Sequence, residues 1–183
     1  MANSKQDVQR FLRNAHILAR LVERVLEIGY LKQASGDALT FDQVNLLKFL
    51  ARPRKFRVKD VAHFLNASHP AASKAVSRLA RKGAVHLSTD PDDRRAERIR
   101  VTPRGQRWVD GYERTKEARI HNLMKGRNPR QLAEGIERVI DALLLERSVV
   151  GNPCLGCGAY FGEECVVRAH GQTCNCACED HSA

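Results

Sequence analysis

The segment between Val58 and Gly105 most constrains the fold, because two short helical patterns there precede a basic hairpin pattern. Apolar residues of the first pattern recur at the three- and four-residue spacing of one helical face: Val58, Val61, Ala62 and Leu65. Asn66-Ala-Ser68 then interrupts the pattern, and Ser68 is a favourable residue for capping a following helix. The sequence therefore predicts a short helix and a tight turn.

The second helical pattern combines an apolar stripe with a polar, basic face. Pro70 is tolerated in a first helical turn, and Gly83 marks the end of the helix. The apolar stripe consists of Ala72, Ala75, Val76 and Leu79. The opposite face holds hydrogen-bond donors, small residues and cations: His69, Pro70, Ala71, Ser73, Lys74, Ser77, Arg78 and Arg81. Such a face suits a DNA major groove, although a solvated helix face is the simpler alternative.

The hairpin that follows favours the first interpretation. Ala84–Thr89 and Glu97–Thr102 have strand patterns, and Asp90-Pro-Asp-Asp-Arg-Arg95 between them predicts a turn with Arg94 and Arg95 at its tip. A basic tip of this kind can reach a phosphate backbone or a minor groove. Helix, turn, helix and hairpin together predict a winged helix-turn-helix, in a mainly α chain with a small β-wing.

The charge distribution supports contact with a polyanion. Residues 52–107 contain 15 Lys or Arg against 5 Asp or Glu, a net charge of +10 that equals the formal net charge of the whole chain. Membrane surfaces are also anionic, but we find no apolar run of ~18 residues and no signal-peptide pattern. We therefore predict a cytoplasmic protein with a nucleic-acid partner and no membrane partner.

Apolar helices are predicted on both sides of the winged unit. The N-terminal stripe is too broad for a free-standing surface helix: Val8, Phe11, Leu12, Ala15, Leu18, Leu21, Val22, Val25, Leu26 and Gly29. Two later patterns, joined by Gly126-Arg-Asn-Pro129, contain Trp108, Tyr112, Ile120 and Leu123, then Leu132, Ile136, Val139, Ile140, Leu143 and Leu144. A two-fold dimer is the simplest partner for so much apolar surface, and an intrachain core is the alternative.

Four regions follow from these patterns. We predict an N-terminal dimerisation helix at residues 1–38 and a winged helix-turn-helix DNA-binding domain at 39–105. Two C-terminal dimerisation helices follow at 106–148, and a cysteine-rich metal-binding module occupies 149–183.

Four stretches resemble the MarR transcriptional regulators. Leu39-Thr-Phe-Asp-Gln43 is similar to the segment that opens the family's second helix, and Leu65-Asn-Ala-Ser68 to its turn. Asp90-Pro-Asp-Asp-Arg-Arg95 and Val101-Thr-Pro-Arg-Gly105 are similar to the wing and the start of the next helix, and they are the specific part. The resemblance covers roughly residues 8–147.

The resemblance implies an obligate homodimer on a pseudo-palindromic double-stranded DNA operator, with repression as the expected effect and a cleft for a small-molecule effector. By position it assigns recognition-helix contacts to Ser68, Pro70, Ser73 and Lys74, and wing contacts to Arg94 and Arg95. His69 and Ala71 depart from the family's commoner residues, so the operator sequence does not transfer. His69 and Arg78 lie on the same helix face and are added to these contacts. The predicted DNA-binding set is therefore Ser68, His69, Pro70, Ser73, Lys74, Arg78, Arg94 and Arg95.

All six cysteines lie in the last thirty residues, at Cys154, Cys157, Cys165, Cys174, Cys176 and Cys178. Structural disulfides are disfavoured in a reducing cytoplasm, so we predict that these thiols bind a metal centre. Cys154-Leu-Gly-Cys157 has the spacing with which two thiolates hold one ion, and Cys165 supplies a third ligand. The fourth ligand remains open among the other cysteines, His170 and His181.

Zinc and an iron–sulfur cluster are both compatible with this set. Cys154 to Cys165 is similar to a small bacterial zinc-finger pattern that a downstream histidine completes, whereas Cys174-Asn-Cys176-Ala-Cys178 adds more thiolates than one tetrahedral ion needs. An all-cysteine supply also suits an iron–sulfur cluster, and a two-zinc cluster or metal-free reactive thiols remain alternatives. The module would accordingly sense metal or redox state, or be structural.

We predict no enzymatic activity, because no phosphate-binding glycine loop, nucleophile elbow or paired-carboxylate pattern occurs. Two other functions compete with a regulator. One is a redox-active iron–sulfur or thiol protein, and the other is a non-specific nucleic-acid-binding protein with a structural zinc tail. A regulator should prefer one duplex sequence over bulk RNA, whereas a non-specific nucleic-acid-binding protein should show no such preference.

Overall fold

The structure, a computed structural model, describes residues 4–36, 38–90, 93–144 and 167, and of residues 90 and 93–96 only the backbone. The helices are α1 (Lys5–Leu21), a π-helical segment (Val22–Gly29), α2 (Tyr30–Ser35), α3 (Phe41–Leu50), α4 (Val58–Leu65), α5 (His69–Arg81), α6 (Pro103–Met124) and α7 (Pro129–Leu144). The strands are β1 (Phe56–Arg57), β2 (Val85–Asp90) and β3 (Asp93–Val101). The prediction of a mainly helical chain with a small β-wing is confirmed.

The strands form an antiparallel sheet in the order β1-β3-β2. Ile99 of β3 lies between Phe56 of β1 and Leu87 of β2, so apolar side chains from all three strands share the inner face. The two-residue strand β1 was not predicted, because a strand this short leaves no alternating pattern in the sequence.

The core lies between this sheet and helices α3, α4 and α5. Phe49 of α3 stacks on Phe64 of α4, with ring centroids 4.3 Å apart, and contacts the ring of Phe56 at 4.7 Å. Burying each such ring contributes about 1.5–3 kcal/mol. Val76 and Leu79 supply the inner face of α5. These contacts fix α5 from behind, so its other face is free to present side chains.

The N-terminal helical segments are continuous from residue 5 to residue 35, as the broad apolar stripe predicted. The π-helical turn at their centre was not predicted. α1 has no buried residue, whereas Tyr30 and Leu31 of α2 belong to the core. The hydroxyl of Tyr112 in α6 donates to the carbonyl of Leu26 at 3.1 Å and ties the π-helical segment to α6.

The two C-terminal helices meet at the predicted joint, and Pro129 is the first residue of α7. α7 contributes no buried residue to the described protein, and three of its large apolar side chains, Leu132, Ile136 and Leu143, are exposed. The large apolar side chains exposed on α1 and the π-helical segment are Val8, Phe11, Leu12, Ile17, Leu18, Leu21, Val25 and Ile28. Two apolar helical faces are thus uncovered in the described protomer.

Candidate nucleic-acid interface

Helix α5 is built and oriented by local sequence signals. Its N-cap is Ser68, whose hydroxyl accepts a hydrogen bond from the Ala71 amide at 3.4 Å. Before it, Asn66 adopts a left-handed conformation with φ 46°, which makes the tight turn from α4 possible. The predicted helix, turn and cap at this position are confirmed.

The far end of α5 is anchored to the start of α3. The ammonium of Lys82, the C-cap residue, donates to Gln43 Oε1 at 2.9 Å and to the carbonyl oxygen of Ala38. Gln43 Oε1 also accepts from the amide of Thr40, completing a capping box on α3. The inner face, the cap and this anchor hold α5 as a rigid element.

The outward face of α5 is polar and basic. Ser73 is half-buried, and the rest of the predicted outward set is exposed: Ser68, His69, Pro70, Ala71, Lys74, Ser77, Arg78 and Arg81. No carboxylate from the described residues pairs with a cation of this face. The structure thus brings together six of the predicted contacts, Ser68, His69, Pro70, Ser73, Lys74 and Arg78, and their contact with DNA stays a prediction.

The wing differs from the prediction in one respect. We expected Arg94 and Arg95 in a turn, but their backbone belongs to β3, which begins at Asp93. The register shifts after the Thr89–Glu97 pair: the next pair is Asp90–Asp93, so residues 94–96 of β3 have no counterpart on β2. The side chains of Arg94 and Arg95 lie outside the described residues.

A charged cluster joins the winged unit to α6, and sequence reasoning missed it. Glu113 of α6 forms ion pairs with Lys48 of α3 at 2.7 Å and with Lys116 at 2.6 Å, and both lysines are buried. Burial alone would raise the pKa of Glu113, but the hydrogen bonds and charges of the two lysines lower its pKa below the usual value. Glu113 and Lys116 are three residues apart on α6, but Lys48 lies on α3, so no local pattern could reveal that the three residues meet.

A shallow cavity lies between α2 and α6 in the described protein, whereas the effector cleft expected between the dimer helices and the winged domain stays a prediction. The cavity measures about 280 Å³ and is lined by Tyr30, Gln33, Arg119, Asn122 and Leu123. This volume is near the lower limit for small-molecule sites.

The predicted metal module lies outside the described residues. That applies to all six cysteines, from Cys154 to Cys178, and to His170 and His181. Among the residues that the structure does describe, no three His, Cys, Asp or Glu side chains are grouped to hold a metal ion. The metal prediction therefore stays a prediction.

Residues 39–105 match the family model of a winged helix DNA-binding domain. The matched range has the same bounds as the predicted DNA-binding domain. A comparison with curated protein sequences finds no match. In the described part of the chain, no helix is both long enough and apolar enough to cross a membrane.

Solved structures with the same fold cover most of the described chain. FabT of Streptococcus pneumoniae in complex with DNA has a TM-score of 0.63 and 15% identity, over 76% of this chain and 96% of its own. A MarR family transcription regulator has a TM-score of 0.58 and 18% identity, and the match covers 77% of this chain and 95% of that regulator. The heme sensor PefR of Streptococcus agalactiae in complex with heme has a TM-score of 0.56 and 21% identity. The match covers 75% of this chain and 94% of PefR. The chain therefore shares the fold of these proteins over about three quarters of its length.

Proposed function

We propose that the chain is a MarR-type transcriptional regulator that binds a pseudo-palindromic DNA operator as a homodimer. The observation that carries the proposal is the exposed basic face of α5, whose opposite face is fixed in the core of a winged helix domain. Lys74 and Arg78 stand one helical turn apart on that face and can contact base edges or phosphates. A similar fold in complex with DNA supports the same proposal.

The homodimer rests on the uncovered apolar faces of α1 and α7. Leu18 is 47% exposed and Leu143 57% exposed in the protomer, which is costly for side chains of this size in water. Covering both faces with a second copy would place two α5 helices on one duplex. In such dimers the half-sites are one helical turn of DNA apart, or a multiple of that distance.

The test starts from the full chain and a library of random DNA duplexes. Repeated selection should enrich an inverted repeat whose half-site centres are about 10 bp apart or a multiple of it. The enriched duplex should then compete for the protein at least ~10³-fold better than a scrambled duplex or bulk RNA. This ratio is the lower limit for proteins that bind a specific DNA sequence. Enrichment of no sequence, or equal competition by RNA, would instead identify a non-specific nucleic-acid-binding protein.

We further propose that the C-terminal cysteines bind zinc or an iron–sulfur cluster that controls operator binding. One support is the set of possible ligands, which consists of six thiols within residues 154–178 and includes one Cys-x-x-Cys pair. The other is the position of this set, which begins ten residues after Leu144, the last residue of α7. Because the module follows α7 in the sequence, we expect metal binding to shift the dimer helices and thereby the spacing of the two α5 helices.

The first measurement for this module is metal content and visible absorption of the full chain purified without oxygen. Colourless protein with stoichiometric zinc, or brown protein with iron, acid-labile sulfide and absorbance near ~400 nm, would support the proposal and separate the two metals. The Cys154→Ser/Cys157→Ser variant should lose the metal and alter operator affinity. Metal-free wild-type protein, or affinity indifferent to the metal and to these substitutions, would refute it.

A further inference from the structure

The outer face of the wing sheet is a second basic surface, separate from α5. Arg98 of β3 lies opposite Arg57 of β1 and Ser88 of β2, and Arg100 lies opposite His86. The opposite face carries the buried side chains of Phe56 and Ile99, so strand alternation puts these arginines on the side that faces away from the core. We propose that this outer face is a phosphate-binding surface for duplex DNA beyond the footprint of α5, an inference that rests on the proposed function.

Two arginines of this face keep their charge uncompensated within the described protein. Arg100 is exposed and Arg98 half-buried, and neither forms an ion pair with a described residue. The sheet positions that share the face carry three arginines, a histidine and a serine, and no carboxylate among the described side chains. A surface of this composition attracts a polyanion.

The register of the sheet adds a physical argument. Arg57 and Arg98 are directly opposed across β1 and β3, and like charges in that position destabilise a sheet. Arg100 lies two residues from Arg98 on the same face and adds to the repulsion. A bound phosphate would reduce the repulsion between Arg98 and Arg100.

Continuity with the wing identifies duplex DNA as the occupant. β3 extends from Asp93 to Val101, so the strand that carries Arg98 and Arg100 also forms the wing. Positions 97 to 101, where the pairing with β2 is regular, span about 14 Å at about 3.4 Å per residue. This equals the rise of about four base pairs of DNA, so one duplex can follow the strand from the wing towards the base of the sheet.

The alternative occupant is the acidic end of the chain itself. Residues 151–183 contain four Asp or Glu against one Arg, and 39 residues follow α7, enough to reach any surface of the protein. Charge complementarity would hold for either occupant. Duplex DNA is favoured because the face is continuous with the wing, and the tail becomes an outcome of the test.

The test compares Arg98→Gln/Arg100→Gln with wild type on the selected duplex and on a scrambled duplex, over a series of salt concentrations. The variant should bind both duplexes roughly tenfold more weakly, and the slope of log affinity against log salt should fall by about 0.9 for each phosphate that the variant no longer neutralises. The control Arg114→Gln/Lys125→Gln removes the same charge from two exposed positions, one on α6 and one at its C-cap, and should keep the slope. Arg98→Lys/Arg100→Lys should keep it as well, because it retains the charges.

Three outcomes would overturn the inference. An unchanged slope and affinity in Arg98→Gln/Arg100→Gln, with wild type still selective, would show that DNA does not contact this face and would leave the proposed function standing. Tighter binding by that variant would indicate that the acidic tail occupies the face. A wild-type protein that selects no duplex would overturn the proposed function first, and the inference with it. Thermal unfolding followed by Trp108 fluorescence verifies that each variant is folded.

Discussion

At the scale of single residues, the contacts of Thr102 and Gly105 explain why the wing is followed by a Thr-x-x-Gly pattern. The Thr102 hydroxyl donates to the carbonyl of Gly83 at 2.7 Å and accepts from the Gly105 amide at 3.1 Å, capping α6. A Cβ on Gly105 would lie 2.2 Å from the carbonyl oxygen of Ala84. The pattern therefore fixes how closely α6 passes the start of β2.

We expect Gly105→Ala to lower the free energy of unfolding by about 1–3 kcal/mol, because the added methyl group must displace backbone atoms. The matched control is Gly111→Ala in the same helix, where a Cβ would be 3.8 Å from its nearest neighbour, the carbonyl oxygen of Ala34. That control should stabilise α6 by up to ~1 kcal/mol. Urea unfolding at one protein concentration measures both, and equal effects would show that the close approach at Gly105 does not exist.

The cluster at Glu113 is the main polar link between two elements, α3 and α6. Its carboxylate joins the buried ammonium groups of Lys48 and Lys116, and the ring of Tyr112 lies 5.3 Å from Lys116 Nζ. A buried cluster of this kind is strongly destabilised when one partner is removed. It links α3 of the winged unit to α6.

Glu113→Gln should reduce the free energy of unfolding by about 2 kcal/mol near neutral pH, because hydrogen bonds to charged groups are lost. The pKa of Glu113 is lowered from 4.5 in the folded protein, so its contribution is full above about 4.5 and disappears as the pH falls through the folded value. The difference between wild type and variant should therefore shrink in acid. The exposed Glu117→Gln serves as control, and a difference that is constant with pH would contradict this role.

The elements that sequence reasoning recovered carry strong local signals. Ser68 and Asn66 mark the turn between α4 and α5, and the Gly126–Pro129 joint separates the last two helices. The elements that it missed depend on tertiary contacts. β1 exists because Phe56 packs beside Ile99, and the Glu113 cluster exists because α3 and α6 meet. Likewise, the strands' extension to Asp93 depends on a register shift that no periodicity records.

On the scale of the whole molecule, two apolar helical faces are uncovered among the described residues. The described α1 and α7 bury no side chain, yet both carry large apolar residues on one face. The core built by α2 to α6 and the sheet does not use these faces. The apolar pattern in the sequence therefore predicts the helices correctly, and their exposure favours a dimer over an intrachain core.

Leu12→Glu/Leu18→Glu should weaken self-association at least tenfold, because two charges would enter the apolar interface. The control Gln9→Glu/His16→Glu adds the same charge at exposed positions on the polar side of α1. Sedimentation equilibrium of the full chain gives the association constants. If both variants remain as dimeric as wild type, α1 does not form the interface.

The most direct test of the account is the affinity of Lys74→Gln/Arg78→Gln for the selected duplex, measured beside wild type and the Arg114→Gln/Lys125→Gln control. Each base or phosphate contact of this kind contributes about 1–3 kcal/mol, so the α5 variant should bind at least tenfold more weakly. The control, with the same change in net charge, should stay within about twofold of wild type, as expected for charges outside the contact surface. Equal affinities for wild type and the α5 variant would show that α5 does not read the DNA and would contradict the account.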